Sequence, residues 1–201
     1  MNRIAHELKQ HMPFTFFGAL TGIICMELTM GMSHDLAHRL FYVFHPLHVV
    51  LSALVTASMY KLYILQNGKK LNVLKFILIG YVGSVGIATL SDSLIPYLGE
   101  TMLGLQYRAP HIGFIEEWWL VNPAAFVGIA LAYIYPHTKF PHAAHVLLST
   151  WASLFHILMA MGGEYSSYVY LGIFFFLFLS VWLPCCVSDI VFPLLFVKER
   201  E

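Results

Sequence analysis

Charged side chains are scarce: 11% of the residues, against about 25% in a soluble domain. With 59% of the chain apolar and mean hydropathy of +0.72, an integral membrane protein is the expected class. Net charge is zero, and no basic run or stacking pattern suits a nucleic acid. Cysteine is nearly absent too. Cys25 stands alone and Cys185 and Cys186 are adjacent, so an odd count with one neighbouring pair excludes a disulfide framework. A nucleophilic triad, a Gly-rich phosphate loop and a dinucleotide fingerprint are all missing, and with them the common soluble-enzyme signatures. No signal peptide is read either; residues 1–13 form a short polar leader that runs straight into an apolar segment.

What the chain does have is histidine, eleven in all, and a repeat. His45-Pro46-Leu47-His48-Val49-Val50-Leu51-Ser52 returns as His142-Ala143-Ala144-His145-Val146-Leu147-Leu148-Ser149. Ser91-Asp92-Ser93-Leu94-Ile95-Pro96-Tyr97-Leu98 returns as Ser188-Asp189-Ile190-Val191-Phe192-Pro193-Leu194-Leu195. Both pairs share an offset of 97 residues, with nine identities in sixteen positions, so the chain reads as an internal duplication.

A span needs about 20 mostly apolar residues, and six fit: about 14–33, 46–65, 74–98, 119–135, 141–161 and 168–197. The expected fold is therefore all-α and polytopic, one membrane domain over 1–201 with repeat 1 at about 14–98 and repeat 2 at about 119–197. Even spacing puts nine of the eleven Lys and Arg residues on the side of the termini and only Arg39 and Arg108 opposite. The positive-inside rule then makes both termini cytoplasmic, in the plasma (inner) membrane. Three-span units must be inverted relative to each other, a plan that recurs in secondary transporters. Weaker matches in the first span of each half (Pro13, Phe16 and Gly18 against Pro123, Phe126 and Gly128) follow an offset of 110. Gly80, Gly83 and Gly86 in the third span invite close helix approach.

In each half, HxxH opens the second span and SDxxxP closes the third, and these spans are antiparallel. Two sites are expected: His45, His48 and Asp92 outside, and His142, His145 and Asp189 on the cytoplasmic side. Two imidazoles and a carboxylate suit zinc, manganese, iron or nickel. Ordinary capping of a helix start or of the backbone freed by proline is the competing account of the same residues. A helix N-terminus beneath the histidines also disfavours a cation and leaves an anionic substrate open.

Further groups stand on the outer side. Glu27 interrupts the first span, and His34, Asp35 and His38 cluster if their segment is helical. Met26, Met30 and Met32 nearby would suit Cu(I), although packing explains methionines more simply and copper is the less favoured ion. Cys185 and Cys186 would add soft ligands to the inner site, and His156, deep in the fifth span, either relays protons or bonds a neighbouring helix.

The function expected is a small transporter of a divalent metal cation, compatible with proton coupling and with a homo-oligomer in the bilayer. The alternatives are an intramembrane metalloenzyme using the outer ligands, or a structural subunit of a membrane complex.

Overall fold

The structure, a computed structural model, describes residues 2–28, 32–163, 165–186 and 191–196. Side chains are described from Met12 onward, except at 14, 139–143, 186 and 194. Among the described residues every regular element is helical: α1 (Asn2–Leu28), α2 (His34–Gln66), α3 (Val73–Leu103), α4 (Gly113–Glu116), α5 (Trp118–Ile134), α6 (Lys139–Ala160), α7 (Ser167–Cys186) and α8 (Phe192–Leu194). Three stretches are long and apolar enough to cross a membrane, His34–Gln66, Val73–Leu103 and Ser167–Cys185. Thr15–Leu28, Trp118–Ile134 and Ala144–Ala160 are apolar but shorter.

The second helix starts twelve residues before the expected boundary at Pro46. Ser33 caps it by accepting from the Leu36 N–H at 3.3 Å, and Asp35 in the first turn complements the helix dipole. From there Ala37, Phe41, His45, His48 and Ser52 recur at helical spacing and are all buried on one face. Pro46 therefore sits inside the helix and not at its first position; neighbouring helices can compensate the backbone hydrogen bond it removes. At 33 residues α2 is about 50 Å long, more than the hydrocarbon thickness of about 30 Å.

Two wide, π-type turns interrupt α3, at Val82–Gly86 and Leu90–Leu94. The second lies just before Pro96, whose ring cannot donate to the turn above it; the Ile95 N–H reaches back five residues to Leu90 O instead. The wider turn lets three consecutive polar residues, Ser91, Asp92 and Ser93, all bury completely. Gly104, in the left-handed region at φ 68°, ends the helix, and the Leu105 N–H closes onto Glu100 O at 3.0 Å.

Packing is centred on α2 and α6, which lie against each other; α5 packs on α2, and α1 packs on both α7 and α6. Glycines set the closest approaches. Gly80 faces Ile129 and Ala57, Gly83 faces Thr56 and Phe192, and Gly128 meets the Val50 carbonyl and Ala53. Gly86, expected to join them, faces open space.

Candidate metal centre

Among its apolar clusters this bundle also buries a polar layer. His145, Ser149, Ser153 and His156 form one fully buried stripe along α6, facing the stripe on α2 that holds His45, His48 and Ser52. Asp92 joins them from α3. Its Oδ2 lies 2.9 Å from His45 Nδ1 and 2.7 Å from His48 Nδ1, and its Oδ1 accepts from Ser91 Oγ at 2.6 Å and Ser149 Oγ at 2.8 Å. A carboxylate has about four lone-pair positions, and all are used. With Asp92 as the acceptor, an imidazole turned this way donates from Nδ1, and in its neutral form it presents Nε2 as the lone-pair nitrogen.

That arrangement sets which ring nitrogens are available to a candidate ligand set. Nε2 of His48 looks toward Cys185 Sγ, 4.0 Å away. The His145 ring stacks on His48 with centroids 5.4 Å apart and planes 9° from parallel. One donor atom from each of His48, His145 and Cys185 lies within 4.8 Å of the others, and all three residues are buried. Zinc bond lengths imply separations of roughly 3.3–3.7 Å between tetrahedral N and S ligands, so ligation asks for an inward shift of about 1 Å. Nε2 of His45 has no hydrogen-bond partner and packs on Gly113, where a Cβ would come within 2.7 Å of it. Asp92 and His45 thus stand behind the candidate ligand set, with Asp92 in the orienting position that carboxylates commonly take behind a metal-bound histidine.

Two sites on opposite faces were expected; the described residues instead bring His48 of the first half and His145 of the second to one buried centre. The reason is the early start of α2, which moves its HxxH away from the helix N-terminus and into the bundle. The dipole argument against a cation at His45 and His48 disappears with it. The side chain of His142, and all of Asp189, lie outside the described residues, as do the side chain of Cys186 and all of Met30.

The remaining expected ligands do not converge. Glu27 is exposed, next to the end of α1. Asp35 pairs with Arg39 at 3.0 Å, both exposed, and His34 stacks on His38 with centroids 6.3 Å apart. Met26 is fully buried in an apolar cluster with Leu105 and Leu154, as packing alone would have it.

A second polar cluster leads inward from these surface histidines. His38 lies against His111 (5.9 Å between centroids), and His111 against His156 (5.5 Å). Glu116 Oε2 accepts from Tyr42 Oη at 2.9 Å and lies 3.3 Å from His111 Nδ1, while its Oε1 accepts from the Ile112 N–H at 3.1 Å. His111 itself sits at φ 34°, a left-handed conformation that costs a non-glycine residue on the order of 1–3 kcal/mol.

Burial pushes the Glu116 carboxyl up, but hydrogen bonds from Tyr42 and His111 outweigh it and hold the group below its ordinary value. Burial is the main cause that lowers His111, with the Glu116 bond opposing it. The signs agree. A depressed carboxylate stabilises the fold above its unfolded value of 4.5 and loses that contribution as pH falls through its folded value. A depressed imidazole penalises the fold as pH falls below its unfolded value of 6.5. Protection of the amides across residues 105–112 against hydrogen exchange, taken relative to the intrinsic rate at each pH, should therefore fall on acidification, first below 6.5, and Glu116→Gln should remove the more acidic of the two steps.

Glu100, just past the expected end of the third span, and Ser153, near His156, were not among the expected site residues. The signal for Ser153 was the i, i+4, i+8, i+11 polar stripe from His145 to His156. No family model, curated protein or solved structure matches this chain, so the functional reading rests on its own residues.

Proposed function

We propose that the chain is a small inverted-repeat membrane transporter whose cargo is a divalent metal cation. The observation that carries the reading is the convergence of His48, His145 and Cys185, with the carboxylate of Asp92 behind His48. Two imidazoles and a thiol favour zinc or another borderline ion over manganese, which prefers oxygen ligands.

Support for two related halves comes from contacts that repeat at the sequence offsets. His48 stacks on its own counterpart, His145. Gly18 of α1 rests on Thr150 of α6, and its counterpart Gly128 of α5 rests on Ala53 of α2, the counterpart of Thr150. Counting the three shorter apolar helices with the three long ones gives six spans, and the Lys and Arg distribution then argues for cytoplasmic termini in a plasma (inner) membrane.

The test is zinc flux into proteoliposomes carrying an internal indicator. His48→Ala, His145→Ala and Cys185→Ala should each cut flux by more than about tenfold, as even changes behind a ligand commonly do. His137→Ala, at an exposed position, should leave it unchanged. A wild-type protein that moves no divalent ion overturns the reading.

One observation favours an intramembrane metalloenzyme instead: a three-donor set leaves a fourth position open, as catalytic zinc sites do. One metal per chain that resists chelators would select the enzyme; a readily exchanged metal selects the transporter.

A further inference from the structure

Resting on the transport reading above, we propose that Glu100 and His156 form the site that carries a proton coupled to metal movement. Both side chains are buried, Glu100 at 1% exposure and His156 at 0%, one near the end of α3 and the other on α6. His156 Nε2 lies 3.2 Å from the Pro110 carbonyl, and Nδ1 lies 2.6 Å from Glu100 Oε1.

Those two contacts count the protons. A carbonyl only accepts, so Nε2 carries a hydrogen and donates it. The contact at Nδ1 then needs a hydrogen of its own, held either by the imidazole as a cation or by the carboxylic acid. Without it, two lone pairs would face each other at 2.6 Å. Both contacts are satisfied together only when the pair holds one proton more than a neutral imidazole beside a carboxylate. The contrast with Asp92 is direct: there a neutral imidazole donating from Nδ1 satisfies each contact, and no extra proton is called for. Glu100 Oε2, moreover, is buried with no hydrogen-bond partner, a position open to the same proton.

A metal is a poorer occupant. Among the described residues, only His48, His145 and Cys185 bring three donor side chains together. Glu100 and His156 offer a carboxylate and an imidazole whose second nitrogen is already committed to a carbonyl.

The neighbours of the pair are aromatic rings and, from the segment after α3, further titratable groups. The Phe41 ring from α2 meets the His156 ring edge-on with centroids 5.5 Å apart, and Phe176 of α7 packs on Gly99. The segment after α3 contributes the Pro110 carbonyl and the His111 ring, beyond which stand Glu116, Tyr42 and His38. These side chains continue from the pair to the exposed His34, which gives the proton a route to one surface.

The link to the metal centre is short. Phe41 stacks flat on His45 with centroids 5.1 Å apart and also meets His156. Ser153, one turn before His156, donates to Ser91 O at 2.9 Å, and Ser91 donates to Asp92. Proton loss breaks the 2.6 Å bond between α3 and α6 and so loosens the same helix contact that positions Asp92. No covalent step is involved beyond one proton leaving nitrogen or oxygen for the route to the surface.

The experiment compares wild type with Glu100→Gln in proteoliposomes, with and without a pH gradient, alongside zinc-for-zinc exchange at equal pH. One pH unit should change wild-type zinc accumulation by about tenfold per coupled proton. Glu100→Gln, whose amide resembles the protonated acid permanently, should exchange zinc as wild type does and ignore the gradient. His156→Gln serves the same comparison should Glu100→Gln not fold. A variant that still responds to the gradient like wild type overturns the proposal, and so does a wild type that moves zinc without regard to pH. Wild-type protein that moves no ion brings down the transport reading, and this proposal with it.

Discussion

Asp92→Ala should leave a protein that barely folds, while Asp92→Asn should fold and hold metal poorly. The difference lies in what each leaves for the four groups around the carboxylate. Alanine strands two imidazole Nδ1–H groups and two serine hydroxyls in a fully buried site. The serines can rotate toward other acceptors; the imidazoles, fixed by Phe41 and His145 stacking, cannot follow as freely. Orphaned buried groups cost about 1–3 kcal/mol each, and breaking a buried charged cluster about 3–5 kcal/mol in all. Against a typical total of about 5–15 kcal/mol, that is a large fraction. Asparagine keeps one oxygen for the imidazoles and offers its amide to serines that turn to accept. What it loses is the charge that would make His48 a better ligand in the proposed centre, a change that commonly lowers metal affinity by about 10–100-fold. Thermal unfolding in detergent and competition with a chelator separate the two effects. An Asn variant binding zinc as tightly as wild type would show that Asp92 does not orient His48.

Gly128 should be the least replaceable glycine in the bundle. A Cβ there meets the Val50 carbonyl and the Ala53 Cβ, and the first of these is backbone that cannot turn aside. Gly128→Ala should cost at least the roughly 1–3 kcal/mol of an overpacked core, and Gly128→Leu should part α5 from α2. Gly86→Ala is the matched control, since nothing lies within 4 Å, and alanine's better helix propensity should make it neutral or stabilising by up to about 1 kcal/mol. Melting temperatures of the two alanine variants would order them; equal values would mean that α5 does not depend on this contact.

How much of this could be read from residues alone differs from one group to the next. The proximity of Asp92 to His45 and His48 followed from an antiparallel pair of helices and a three-residue spacing, both local properties. Cys185 was legible as a soft ligand, but it was assigned beside Asp189, and the described contact is with His48. The start of α2 was not legible, because a proline and a run of polar residues mimic a helix boundary, whereas the stripe from Ala37 to Ser52 continues through both. That single misplaced boundary separated two HxxH motifs that tertiary packing brings together. Glu100 escaped for a similar reason. The expected third span stopped at about residue 98, two residues short of Glu100, whereas the wide turn before Pro96 absorbs the missing hydrogen bond and carries α3 on to Leu103.

The flat stack of His48 on His145 bears on movement as well as on ligation. Two residues separated by the repeat offset and only 5.4 Å apart at their ring centroids must lie beside whatever line relates the halves. Points on such a line travel least when one half tilts against the other. Under the transport proposal the stacked rings would act as a fulcrum: the cargo's resting place would stay nearly still while the bundle's ends swing, and exposure would change from one face to the other without the ion having to be handed on.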